Sequence, residues 1–189
     1  MIRPALIVAA AFAALPALAE VETFNIDPRH TFPAYEIGHF GYSLQRGRFN
    51  KTQGKITLDT EAKSGTVEVA IDTASVSSGV DQLDERLRGE DFFDSARSPQ
   101  MTFKAAELTF DGDRVRQARG TLTIRGISQP VTFEVTHFKC GINLTILRKV
   151  CGADMTAKIR RSDFDMKYGL PMLADEVLLR VNVEAIKDS

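Results

Sequence analysis

Strict period-two alternation of apolar and polar residues runs through most of the chain, and it restricts the chain to sheet. Val67, Val69 and Ile71 alternate with Glu68, Ala70 and Asp72. Val131, Phe133 and Val135 alternate with Thr132, Glu134 and Thr136. Met155, Ala157 and Ile159 alternate with Thr156, Lys158 and Arg160, and Val177, Leu179, Val181 and Val183 with Leu178, Arg180, Asn182 and Glu184. Shorter runs occur at Ile56/Leu58, Met101/Phe103 and Leu122/Ile124. Successive strand residues point to opposite faces, so each run buries one face and wets the other.

Turn chemistry separates the runs. Asp111-Gly112-Asp113, Lys63-Ser64-Gly65 and the stretch between Gly126 and Pro130 are short connections of the kind that join antiparallel neighbours. One segment departs from the pattern. Val80, Leu83 and Leu87 share a helical face, Ser78 and Asp81 resemble a capping box, and Gly89 is a stop signal, which predicts one helix over 80–88. Asp84 and Arg88 are spaced as a surface i,i+4 pair. Many short strands with one helix favour a sheet closed on itself, because closure removes exposed edges. The expected fold is all-β: an extended, eight-stranded, antiparallel, lipocalin-like barrel with one short helix.

The N-terminus reads as a secretory signal. Arg3 precedes an apolar run from Ala5 to Leu15, followed by Pro16 and Ala17-Leu18-Ala19, so cleavage is expected between Ala19 and Glu20. The run is too short to span a bilayer, which takes about 20 residues. Residues 1–19 are thus a signal peptide and 20–189 one domain, expected in the periplasm and without stable membrane insertion. An outer-membrane barrel needs aromatic girdles; here there is no Trp and only Tyr35, Tyr42 and Tyr168. A formal charge of −1 gives no general attraction for nucleic acid. Cys140 and Cys151, close in sequence in an exported chain, are expected to form a disulfide across a hairpin tip. Closing so short a loop stabilises by roughly 2–3 kcal/mol in the chain-entropy picture.

Catalytic and metal motifs are absent. His30, His39 and His137 are not at metal-ligand spacing, and no nucleophile elbow, phosphate loop or zinc-protease helix occurs. The adjacent Arg160 and Arg161 read as one exposed arginine and one paired with a carboxylate, or as contacts to an anionic headgroup.

Several segments resemble the YceI-like family. They are D-P-R-H-T from Asp27, His39 at a strand end, RGRF ending at Phe49, LDERLRGEDFFDSARSPQMTFK from Leu83 to Lys104, and GTLTIRGISQPVTFEV from Gly120 to Val135. RRSDFDM from Arg160 to Met166, followed by DEVLLRVNVEA, completes the order. Asp165 stands where that family usually has Gly, Pro33 falls in the second strand, where it favours an edge or bulge, and the cysteine loop looks like a subgroup trait. The resemblance implies a lipocalin-like barrel holding a long apolar ligand, of the polyprenyl phosphate or isoprenoid quinone kind. It implies binding and transport rather than catalysis, and no cofactor beyond the bound lipid itself.

Strand parity names the candidate lining: Tyr35, Ile37, His39, Phe49, Met101, Phe103, Phe133 and Met155. The helix and the late loop add Leu83, Leu87, Phe92, Met166 and Met172, with the entrance beside the helix and the 166–172 loop. Ala157 is expected on the inward face and Lys158 outside. Two other readings remain open: an enzyme acting on such a lipid, and a structural barrel with a filled core. A homodimer is also left open.

Overall fold

A computed structural model describes residues 21–188; the expected signal peptide and its Ala19–Glu20 cleavage site lie outside them. The strands are β1 Glu22–Ile26, β2 Phe32–His39, β3 Ser43–Phe49, β4 Thr52–Asp59, β5 Ser64–Asp72, β6 Val76–Ser77, β7 Gln100–Asp111, β8 Arg114–Ile124, β9 Ile127–Asn143, β10 Arg148–Arg160 and β11 Leu173–Lys187. The helix α1 spans Asp81–Arg88, and 3-10 turns occupy Thr73–Ser75 and Arg161–Phe164.

All pairings are antiparallel. From β1 the ring runs through β4, β5, β7, β8, β9, β10 and β11, and closes where β11 pairs with β1 (Phe24 opposite Lys187). The remaining strands continue ring strands. β2 lies beside the N-terminal half of β11, as β1 lies beside its C-terminal half. β3 pairs with β2 as β4 pairs with β1, and β6 pairs with β3 as β5 pairs with β4. The structure is therefore an eight-stranded meander barrel in which the first three strands are each interrupted once.

The first interruption explains the D-P-R-H-T run. The Asp27 carboxylate accepts from the Arg29 amide (3.0 Å), the Arg29 guanidinium and His30 Nδ1 (2.9 Å). The Arg29 hydrogen bond, with His30 beside it, holds the Asp27 carboxyl far below the usual carboxylate range. Thr31 Oγ1 donates to the Glu184 carbonyl and accepts from the Glu184 amide. These bonds replace the β-ladder over the gap, so the backbone groups of a buried break stay partnered. Pro33 falls just past this break, opposite Val181, where its missing N–H leaves no ladder bond to β3 unmade.

Inside, the alternating residues meet. Leu58, Ile71, Met101, Phe103, Leu122, Ile124, Val131, Phe133, Val135, Ile159, Val177 and Val183 are all buried. The disulfide joins Cys140 and Cys151 directly across β9 and β10, with Cα atoms 4.1 Å apart.

Helix α1 covers one end of the barrel, but its cap differs from the sequence expectation. Val80 is the N-cap residue, no side chain caps the helix, and Ser78 does not bond Asp81. Instead the Asp84 carboxylate accepts from the Ser78 amide and hydroxyl, both at 2.6 Å. Asp84 is therefore buried in a latch rather than paired with Arg88 on the surface. An unpartnered buried carboxylate is costly, so this latch fixes the angle at which the chain enters the helix. Gly89 ends the helix in an extended conformation, its amide bonding the Arg86 carbonyl.

Candidate functional site: an apolar cavity open at one end

The inward faces do not meet at the middle. They enclose a cavity of about 540 Å³ running from the barrel centre to the helix-covered end. Twelve of the candidate residues form its wall: Tyr35, Ile37, His39, Phe49, Leu83, Leu87, Phe92, Met101, Phe103, Phe133, Met155 and Met166. Met172 does not. The residue is 59 % exposed, and its backbone carbonyl accepts from the Phe40 amide at 3.0 Å. Strand parity has no meaning in the turn before β11; Leu173, the first residue in register with His39, takes the inward position instead. Ala157 is buried but packed between its inward neighbours, and does not reach the cavity surface.

The wall is aromatic toward the mouth. Tyr35 contacts Phe49, which meets Phe93 edge-on at 5.1 Å, and Phe92 meets Tyr168 at 5.7 Å. Deeper, Phe103 and Phe133 pack edge-to-face at 4.9 Å. Tyr35 owes its place to Gly47, directly opposite on β3: a Cβ there would fall 2.4 Å from the Tyr35 hydroxyl oxygen. The absent side chain lets the ring lie across the strand. Burial, with Asp84 nearby, pushes the Tyr35 hydroxyl up to about 12, so the phenol stays neutral at any physiological pH.

The opening is marked by residues that both line the cavity and face solvent: Phe40, Leu83 and Tyr168. Phe40 follows β2, Leu83 lies on α1 and Tyr168 lies on the 165–172 loop, so the mouth sits where the sequence placed it. Phe40, Phe93 and Tyr168, also in the wall, are not among the candidates named from the sequence; all three lie outside the alternating runs. Arg86, whose guanidinium stacks 4.3 Å over the Tyr168 ring, also borders the opening.

Polar groups in the wall are mostly spoken for. Arg161 is buried, its guanidinium donating to the carbonyls of Met166 (2.7 Å), Ala174 (2.9 Å) and Leu173 (3.2 Å). Burial lowers its pKa, opposed by Asp175. Arg161 thus clamps the late loop to the start of β11. The exposed Arg160 is the one that pairs with a carboxylate, that of Asp175. The Thr52 hydroxyl is buried, lines the cavity and has no partner among the described residues. His39 stands edge-on to Phe40 at 4.5 Å. No group of His, Cys, Asp or Glu suited to a metal ion occurs among the described residues.

A smaller cavity of about 50 Å³ lies beyond the first, toward the disulfide. Ile56, Val67, Ala118, Met155 and Val183 border both, forming a partition of side chains.

Solved structures of similar shape include Burkholderia cenocepacia BcnA, with a TM-score of 0.73 at 24% identity, covering 84% of this chain and 98% of that one. The Campylobacter jejuni YceI protein superposes with a TM-score of 0.68 at 26% identity, covering 80% and 90%. A polyisoprenoid binding domain from Saccharophagus degradans gives 0.63 at 15% identity, covering 87% and 98%, a likeness of fold. Protein YceI of Escherichia coli is 32% identical over 177 residues, covering 93% of this chain and 92% of its own length. A UPF0312 protein of Pseudomonas paraeruginosa is 32% identical over 179 residues, covering 94% and 93%. The model of the YceI-like domain matches residues 24–185, nearly the whole described barrel, and this chain belongs to that family.

Proposed function

We propose that this protein is a periplasmic carrier that holds a long isoprenoid lipid, of the polyprenyl phosphate or quinone type, with its tail in the barrel. The observation that carries this reading is the cavity: deep, apolar, lined by aromatics and open at one end. Such a tail is barely soluble in water, and each buried CH₂ contributes about 0.8 kcal/mol. A cavity of roughly 150 Å³ accommodates benzene, so by that scale 540 Å³ accommodates on the order of twenty carbons. The rest of a longer tail would pass the mouth or the Ala118 partition. The polyisoprenoid-binding neighbour of the same fold supports this ligand class. Of the wall's charged groups, Arg161 is held by three carbonyls and Arg46 pairs with Glu36, which favours binding over catalysis.

The test is mass spectrometry of an organic extract of the protein recovered from the periplasm, with its N-terminus determined. The expected result is an isoprenoid lipid near one per chain on a polypeptide starting at Glu20. A lipid-free protein that, after delipidation, also fails to take up added polyprenol would overturn the reading. Conversion of added lipid to a new product would replace it with the enzymatic one.

A further inference from the structure

Exposed large apolar side chains gather at the two poles of the barrel. One set surrounds the mouth; the other, Ile142, Leu144, Ile146 and Leu147, forms the tip of the β9–β10 hairpin at the opposite end. This hairpin projects. Its pairing with β8 ends at Gln117 opposite Glu134, and with β11 at Val150 opposite Ile186. Beyond those pairs the two strands have only each other as ladder partners, and the Cys140–Cys151 disulfide ties them at the base of the projection. The tip is a defined turn: the Asn143 side-chain oxygen accepts from the amides of Thr145 (2.9 Å) and Ile146 (3.3 Å).

Charge gives the patch its character. Residues 136–153 contain Lys139, Arg148 and Lys149 and no acidic residue. Lys149 is paired with Glu22, which also engages Lys187. Lys139 and Arg148 have no carboxylate partner among the described residues; Arg148 donates to the Lys187 carbonyl. We propose that this hairpin tip is a membrane anchor, inserting its four apolar side chains into the interface of an anionic bilayer while the basic collar meets the headgroups.

A bilayer suits the shape better than a second copy does. Four apolar side chains on a convex loop fall well short of the roughly 20–30 residues a side in a standard protein interface. A bilayer interface needs no complementary pocket, and attraction to anionic lipid adds to apolar burial. An apolar projection in water otherwise has no use and carries an aggregation hazard. The anchored barrel points its mouth away from the bilayer that holds it. The proposal is independent of the lipid-carrier reading, since tip and mouth lie at opposite poles.

The test is co-sedimentation of the chain beginning at Glu20 with phosphatidylcholine vesicles, with and without phosphatidylglycerol. Binding should require phosphatidylglycerol and weaken as salt is raised, because the Debye length shortens. L144D combined with L147D should lower affinity at least tenfold. Lys139→Ala and Arg148→Gln should each lower it about fivefold, the equivalent of roughly 1 kcal/mol per basic side chain. The two charge variants keep the test decisive if the Asp pair misfolds. Equal binding to neutral vesicles, or binding unaffected by the tip variants, would overturn the proposal in favour of the mouth. No vesicle binding, with self-association in its place, would overturn it in favour of a second copy. Lipid content of the tip variants should match wild type, so failure of the anchor and failure of the carrier reading are separable.

Discussion

Asp165 shows how one residue can be read from backbone conformation. It sits at φ 60°, the left-handed region, closing the 3-10 turn that starts at Arg161. A Cβ is disfavoured there, so the position favours glycine. Its carboxylate reaches Lys167 at 2.9 Å, but both groups are exposed and such pairs contribute little. Asp165→Gly should therefore raise the thermal midpoint by about 1–2 °C, the strain relief being partly offset by added unfolded-state entropy. A lower midpoint would mean that the Lys167 contact holds the loop. Thr52 makes a second case at this scale. An unpartnered buried hydroxyl is costly, so Thr52→Val should stabilise the lipid-free protein by about 1 kcal/mol in urea unfolding. Weaker lipid retention in the same variant would show that the hydroxyl bonds the ligand. Asp27 gives a pH dependence. Its native pKa is depressed by Arg29 and His30, whereas in the unfolded chain it is about 3.9. The stability it contributes is full above that unfolded value and declines as pH falls toward the native one. Asp27→Asn should accordingly lower the urea midpoint at about pH 6, and the gap to wild type should narrow at about pH 3. A constant gap would remove the ionised carboxylate from the account.

At the scale of elements, strands were legible and their interruptions were not. Val67 to Ile71 and Val177 to Val183 declare their faces because an alternating run has only one way to bury its apolar side. The break at Asp27–Thr31 depends on Thr31 meeting Glu184, a partner more than 150 positions away that local pattern cannot reveal. The helix cap failed for a similar reason. Ser78 and Asp81 have the right spacing, but the chain turns at Gly79, with φ 86°, and presents Ser78 to Asp84 instead. The disulfide was legible because the expected export and the short spacing sufficed. It ties the base of a projecting hairpin, with Cys151 buried beside the smaller cavity and neither cysteine in the wall of the larger one, so replacing both cysteines with Ser should cost about 2–3 kcal/mol while leaving bound lipid unchanged. Loss of lipid on reduction would show that the hairpin shapes the cavity.

For the whole molecule, the ring of eight strands decides what the interior can be. A barrel of this size either fills with side chains or leaves room for one ligand. Aromatic side chains line the cavity both at the mouth and deeper in, while the partition contains Ala118, one of the smallest groups in the wall. Most of the candidate site could be read from parity, because lining positions repeat every second residue. Phe40, Phe93 and Tyr168 could not, since the loops that place them obey no period.

The central claim, that the cavity is a ligand site and not loosely packed core, meets its most direct test in Ala118→Trp. Ala118 is buried and borders both cavities, so an indole there projects into open space rather than into packed atoms. Lipid content by extraction and the thermal midpoint are to be measured on the same preparation, with Lys158→Trp on the outer face as control. The account predicts that Ala118→Trp loses its lipid while its midpoint stays within a few degrees of delipidated wild type, and that Lys158→Trp changes neither. In a filled core the same substitution would cost about 1–3 kcal/mol or more through overpacking. A collapsed midpoint in Ala118→Trp, with wild type carrying no lipid, would contradict the account.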